Sequence, residues 1–149
     1  MSGTTQNAAH ARSAARRLLA QALYQRQLGG QSWQELFAQY RTDPNFARAD
    51  AAYFRAALEA ICAGAEDLDR ELTRHSDIEP SRLDPVEHAI LQLGLWELMS
   101  QPLVPYRVVI NEAVDLAKRF GATDGHRYVN AVLDKASRAH RAMERGEVA

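Results

Sequence analysis

Apolar residues recur along this chain at intervals of three and four, and no stretch alternates with period two over a useful length. The pattern predicts an all-α fold of six or seven helices without an internal repeat. A first helix runs from about His10 to Leu28. It carries Ala15, Leu18, Leu19, Ala22 and Leu23 on one side and Arg17, Gln21 and Tyr24 on the other, with Arg16 on the flank. Gly29 and Gly30 end it. Ser32 and Glu35 frame a capping box, which opens a short helix burying Leu36, Phe37 and Tyr40. Thr42 to Asn45 reads as a loop. Asp50 then caps a long stripe of Phe54, Ala57, Leu58, Ile61, Ala65, Leu68 and Leu72, with Gly64 either interrupting it or admitting a close neighbour.

Asp84-Pro85-Val86-Glu87 is a second start signal, combining a cap, a proline at the first helical position and an acid at the third. The helix it opens, to about Ser100, is apolar over most of its circumference and is therefore central. Pro105 opens the next helix, whose buried stripe is Val109, Ile110, Ala113, Leu116, Ala117 and Phe120, and Gly121 stops it. Thr123 or Asp124 caps a last helix with Val129, Val132, Leu133 and Ala136 inside and Tyr128, Ala131 and Lys135 along one edge. Met1 to Ala9 is small and polar and is expected to be disordered. The charged segment after Arg138 is expected to fray, leaving residues 10–139 as the folded part.

Composition changes this picture in one respect. Net charge is only −1, yet the first 34 residues carry +4 and the remainder −5. A basic helix on an acidic body suits a nucleic-acid partner, and it equally suits a solvated helix face. Arg12, Arg16 and Arg17 occupy the first half of the helix, where the dipole disfavours cations. One cysteine, Cys62, excludes an internal disulfide or a cysteine-rich metal site. No secretory h-region and no membrane-length apolar run is visible, so a cytoplasmic protein without membrane attachment is expected.

Catalytic chemistry is not visible. Histidines at 10, 75, 88, 126 and 140 share no metal-ligand spacing, and there is no phosphate-binding glycine loop or nucleophile elbow. No catalytic residue, cofactor or metal is expected. What remains is surface recognition. One candidate patch is Arg12, Arg16, Arg17, Gln21 and Tyr24; the other is the Gly121–Arg127 turn with Tyr128 and Lys135. From spacing alone Tyr128 reads as a half-buried core residue with a wet hydroxyl, and Asp124 as a helix cap.

Longer matches then point to a family. V-P-Y-R-V-V-I-N-E-A-V-D-L-A-K-R-F-G at 104–121 and G-H-R-Y-V-N-A-V-L-D-K at 125–135 resemble the C-terminal signature of the NusB transcription antitermination factors. A-R-R-L-L-A-Q-A-L-Y-Q at 15–25, Tyr53-Phe54-Arg55, Val86 to Leu91 and Leu95 to Leu98 are similar to other family segments, in the family's order. The resemblance implies two packed three-helix sub-bundles. It implies binding of boxA RNA in nascent ribosomal transcripts together with the ribosomal protein NusE, in an assembly with RNA polymerase and other Nus factors.

Carried over position by position, the resemblance assigns RNA contacts to Arg12, Arg16, Arg17, Gln21, Asp124, Tyr128 and Lys135. It assigns NusE contacts to Tyr24 and Glu87. Ser13 and Ala14 interrupt an arginine run that is consecutive in other members, and Tyr128 stands where many have phenylalanine. A NusB-like domain also occurs fused to RNA cytosine methyltransferases, but these 149 residues contain no cofactor-binding sheet pattern. The alternative reading is a helical protein-binding adaptor without RNA affinity, which could self-associate as a homodimer through the first-helix face.

Overall fold

The computed structural model describes residues 2–147, with side chains from Gln6 onward. Among these residues seven α-helices form: α1 (Ser2–Gly29), α2 (Trp33–Tyr40), α3 (Ala51–Ala63), α4 (Ala65–Thr73), α5 (Pro85–Ser100), α6 (Tyr106–Phe120) and α7 (Gly125–His140). Among the described residues there is no strand, as the periodicity predicts. The chain divides into two compact units, one up to Ala63 and one from Gly64. The first packs α1, α2 and α3 together, and the second packs α5, α6 and α7 with α4 against α5. The three-plus-three expectation therefore holds, with α4 added to the second unit.

In the first unit the Ser32–Glu35 box is present in both directions, at 3.1 Å each. Gly30 closes α1 at φ 71°, donating its N–H to the Arg26 carbonyl at 2.8 Å. The expected loop at 42–45 instead begins a 3-10 turn, Pro44–Arg48, capped by Asp43. This turn presents Phe46 to Phe37 and Phe54, with ring centroids 6.1 and 5.6 Å apart. Asp50 caps α3 by accepting from the Tyr53 N–H at 3.0 Å. The long stripe does break at Gly64, which separates α3 from α4.

α1 starts at Ser2 rather than near His10, so the expected disorder of residues 1–9 is replaced by helix from Ser2 onward; Met1 lies outside the described residues. Residues 6–10 are exposed, and the run holds no helix breaker after Gly3. One consequence reaches the charge argument. Arg12 now lies ten residues inside the helix, and dipole effects fade beyond the first turn. The arginines therefore carry no appreciable dipole penalty.

In the second unit every residue from Ala89 to Leu98 is buried, so α5 is central as its all-round apolarity requires. Gly94 makes this possible against α7: a Cβ there would stand 2.7 Å from a Leu133 methyl. Gly121 ends α6 as expected, in extended backbone. Its side-chain space is taken by the Ala117 carbonyl, 2.7 Å from where a Cβ would sit.

The segment after Arg138 is also not frayed. Arg141 is buried, and its guanidinium donates to the carbonyls of Glu97, Leu98, Gln101 and Val104 at 2.8–3.1 Å. Those groups end α5 and line the turn to α6, where the Glu97 and Gln101 carbonyls also accept from the Gln101 and Val104 N–H groups at 3.0 Å. Glu144 accepts from Arg141 at 2.6 Å and from the Tyr106 N–H at 2.9 Å. The carboxylate thus meets the N-terminus of α6, which Pro105 leaves without a side-chain cap. Residues 141–144 clamp both sides of the α5–α6 turn. Val148 and Ala149 lie outside the described residues.

Candidate nucleic-acid interface

On α1 the buried stripe is wider than five positions, because Ala14 and Ala20 are buried as well. Arg16 consequently falls inside the stripe and is 2% exposed. The expectation that it lines an RNA face is corrected: it is held in the protein, with its guanidinium 5.9 Å from the Tyr53 ring centroid. Arg12 lies closer to the same ring, at 4.0 Å, and pairs with Asp50 at 3.5 Å. A cation over an aromatic face contributes about 0.5–1 kcal/mol at a partly exposed site. Asp50 also donates its own N–H to the Ala11 carbonyl at 2.9 Å. The arginines at 12 and 16 thus help pin α1 to α3. The Arg12 Nε is buried without a hydrogen-bond partner, so the contact this residue can offer a ligand is the charge of its partly exposed guanidinium.

The outward positions of α1 are Arg17, which is half-buried, Gln21 and Tyr24, both exposed. Gln21 donates to the Arg17 carbonyl at 3.2 Å, a local bond that an incoming ligand can replace cheaply. Tyr24 presents about a third of its surface. These three are the accessible part of the first candidate patch, in the order expected from their spacing.

The second patch belongs to the second unit. Asp124 occupies the N-cap position of α7 but makes no side-chain cap bond, so the expected capping role is not taken up. Its backbone is left-handed, at φ 67°, a conformation aspartate tolerates better than most residues but still at some cost. Its carboxylate is exposed and 3.7 Å from the Arg127 guanidinium, a solvent-facing pair worth little to stability. Strained backbone under an exposed side chain that adds little to stability is a feature of functional turns. Exposed Lys118 and Arg119 precede this turn and exposed Arg127 follows it, a basic setting around the acid.

Tyr128 is half-buried, and its hydroxyl is hydrogen-bonded to Ser76 Oγ. The half-buried reading is right, but the hydroxyl has a protein partner. Ala131 and Lys135 continue the same edge and are exposed. Glu87 departs most from expectation. It is 8% exposed, and the N–H groups at the start of α5 go to Asp84 Oδ1, from Val86 at 2.9 Å and Glu87 at 3.3 Å. The Glu87 carboxyl instead abuts Gly125, where a Cβ would lie 2.8–3.0 Å from its atoms. Burial, with Asp84 alongside, raises this carboxyl above the ordinary range. Sequence reasoning found the glycine and the acid separately; their contact spans 38 residues and has no local signal.

Comparison with known proteins agrees with this architecture. The NusB family matches residues 13–138, which include every candidate position except Arg12. A transcription antitermination protein NusB of Pseudomonas putida is 50% identical over 133 residues, covering 89% of this chain and 80% of the relative. One from Alcanivorax borkumensis is 46% identical over 137 residues, covering 92% and 91%. The solved structure of T. maritima NusB superposes with a TM-score of 0.79 at 25% identity, covering 91% of this chain and 96% of that one. With family-wide matching, extensive identity and a shared helical fold, this chain belongs to the NusB family of transcription antitermination factors.

Proposed function

We propose that this antitermination factor works by binding the boxA element of nascent ribosomal RNA together with NusE, and that the pair joins RNA polymerase and other Nus factors in the cytoplasm. The observation that carries the reading is the family match through both candidate patches. Its role is regulatory rather than catalytic. Arg17 and Gln21 supply phosphate and sugar contacts, and Arg12, partly exposed, adds positive charge beside them. Tyr128 and Lys135 supply a ring edge and a cation, and Asp124 an acceptor for base amino groups. Arg16 is assigned a positioning role within the first unit, holding α1 against Tyr53 of α3. Tyr24 is the accessible member of the NusE pair, and Glu87 acts there chiefly by holding the Gly125 turn in shape.

The test is anisotropy of labelled boxA RNA, with a scrambled control, against the full chain with and without NusE over a salt series. Binding is expected to favour boxA, to strengthen with NusE and to weaken as salt rises. Arg17→Ala is expected to reduce the slope of log affinity against log salt by about 0.7, the value for one phosphate of a single strand. Arg17 is the better probe because Arg16→Ala would also open a buried site. No RNA binding with or without NusE would leave the protein-binding adaptor as the correct reading.

A further inference from the structure

Five histidines scattered along the chain give no ligand spacing, yet the fold brings two of them to one carboxylate. Glu71 Oε2 lies 2.8 Å from His75 Nε2 and 3.1 Å from His140 Nε2. The three ligand atoms all fall within 4.8 Å of one another. We propose that Glu71, His75 and His140 bind a divalent transition-metal ion of the zinc class through these three atoms, with water in the fourth position. The donor set of two imidazoles and one carboxylate selects zinc, cobalt, nickel or copper over magnesium or calcium, which prefer all-oxygen shells.

Geometry favours this use of the cluster. Metal–ligand bonds of about 2.0–2.1 Å place tetrahedral ligand atoms about 3.3 Å apart. The two carboxylate–imidazole separations of 2.8 and 3.1 Å need to open by only a few tenths of an ångström, and the two imidazole nitrogens already lie within 4.8 Å of each other. Glu71 lies in the last turn of α4 and His75 two residues past its end, and their i, i+4 spacing brings both to one side. His140 is the last residue of α7. The C-terminal ends of two helices thus converge here, and their dipoles favour a cation. The side chains are shielded but not sealed, with 14% of Glu71, 8% of His75 and 22% of His140 exposed, leaving access for one water.

The competing cation is Arg74, 3.5 Å from the other Glu71 oxygen, and its side chain is 74% exposed and free to swing out. Without metal, both rings can donate from Nε2 to the one carboxylate oxygen, so the cluster is satisfied in either state. Metal would couple the end of α7 to the segment holding Ser76, the partner of Tyr128.

Untagged full-length protein titrated with Co²⁺ is expected to develop visible ligand-field absorption that saturates at one equivalent and is displaced by Zn²⁺. Zn²⁺ should also raise the melting temperature, and Mg²⁺ should not. His140→Ala and Glu71→Gln should each weaken Co²⁺ binding at least about tenfold. Glu71→Gln retains a hydrogen-bonding side chain and guards against a folding artefact in His140→Ala. His88→Ala, which removes a histidine bonded to Asp69 at 2.7 Å instead, should leave binding unchanged. Absence of Co²⁺ and Zn²⁺ binding by the unmodified chain, or equal binding by it, His140→Ala and Glu71→Gln, would overturn the assignment.

Discussion

Truncating Arg141 to alanine should be among the most damaging single changes in the second unit. The side chain is 6% exposed, and its guanidinium serves four backbone carbonyls and the Glu144 carboxylate. Each buried acceptor left without a donor costs about 1–3 kcal/mol, and charged hydrogen bonds lie toward the upper end. The costs do not add in full, because the Glu97 and Gln101 carbonyls keep the Gln101 and Val104 N–H groups as donors at 3.0 Å and the 101–105 turn can admit water. Removing one member of a buried charged network typically destabilises by about 3–5 kcal/mol, and that is the expected loss. For a chain of this length it corresponds to a fall in Tm of roughly 6–20 °C. Arg141→Lys should recover only part of it, since an ammonium offers three donors and no planar fork.

Urea unfolding followed by circular dichroism measures the loss. Hydrogen exchange adds the location: amides at the end of α5 and the start of α6 should exchange faster. Arg138 is the internal control. It is three residues away and mostly exposed, and its ion pairs at 3.4 and 3.9 Å lie in solvent. Arg138→Ala should cost less than about 1 kcal/mol. If Arg141→Ala is no worse than Arg138→Ala, residues 141–144 do not clamp the turn and the frayed segment expected from composition is the correct description.

Tyr128→Phe should lose the bond to Ser76 at about 0.5–1.5 kcal/mol of stability while keeping boxA affinity, whereas Tyr128→Ala should weaken RNA binding by about 1–3 kcal/mol if the ring stacks; denaturation and anisotropy separate the two. Gly125→Ala should destabilise by about 1–3 kcal/mol because its new methyl meets the Glu87 carboxyl. Adding Glu87→Ala should relieve part of that cost, and a double-mutant cycle with no coupling would reject the contact. Glu87 also predicts a pH effect. Its raised value means that the fold favours the neutral carboxyl, so this contribution is complete below the ordinary carboxylate range and is lost as pH rises through the raised value. Glu87→Gln should therefore be at least as stable as the parent at pH 7, with any advantage vanishing near pH 4, as read from urea midpoints.

The helices and several of their ends are written locally. Ser32 with Glu35, Asp50 before α3, and Asp84 with Pro85 each act within one turn of the residues that bond them, so spacing reveals them. The central place of α5 is equally visible, since a helix apolar on every side has no solvent face to offer. The family match was legible for the same reason: it lies in contiguous runs of residues. The candidate patches were legible in part. Gln21, Tyr24 and Lys135 do face solvent, because positions opposite a core stripe are forced outward.

Partners distant in sequence were decided by packing. Arg16 sits at the margin of a stripe, and only the neighbouring surface determines whether a margin is wet or dry. Arg141 looked like one charge in a polar tail, because nothing in its own segment announces four carbonyls 37 to 44 residues earlier. The contact of Glu87 with Gly125 and the meeting of Glu71, His75 with His140 belong to the same class. Periodicity fixes the angle at which a side chain leaves its own helix, and local capping chemistry fixes where that helix begins and ends. Which carbonyl, ring or carboxylate waits at the end of a long side chain depends on how helices pack, and that is tertiary information.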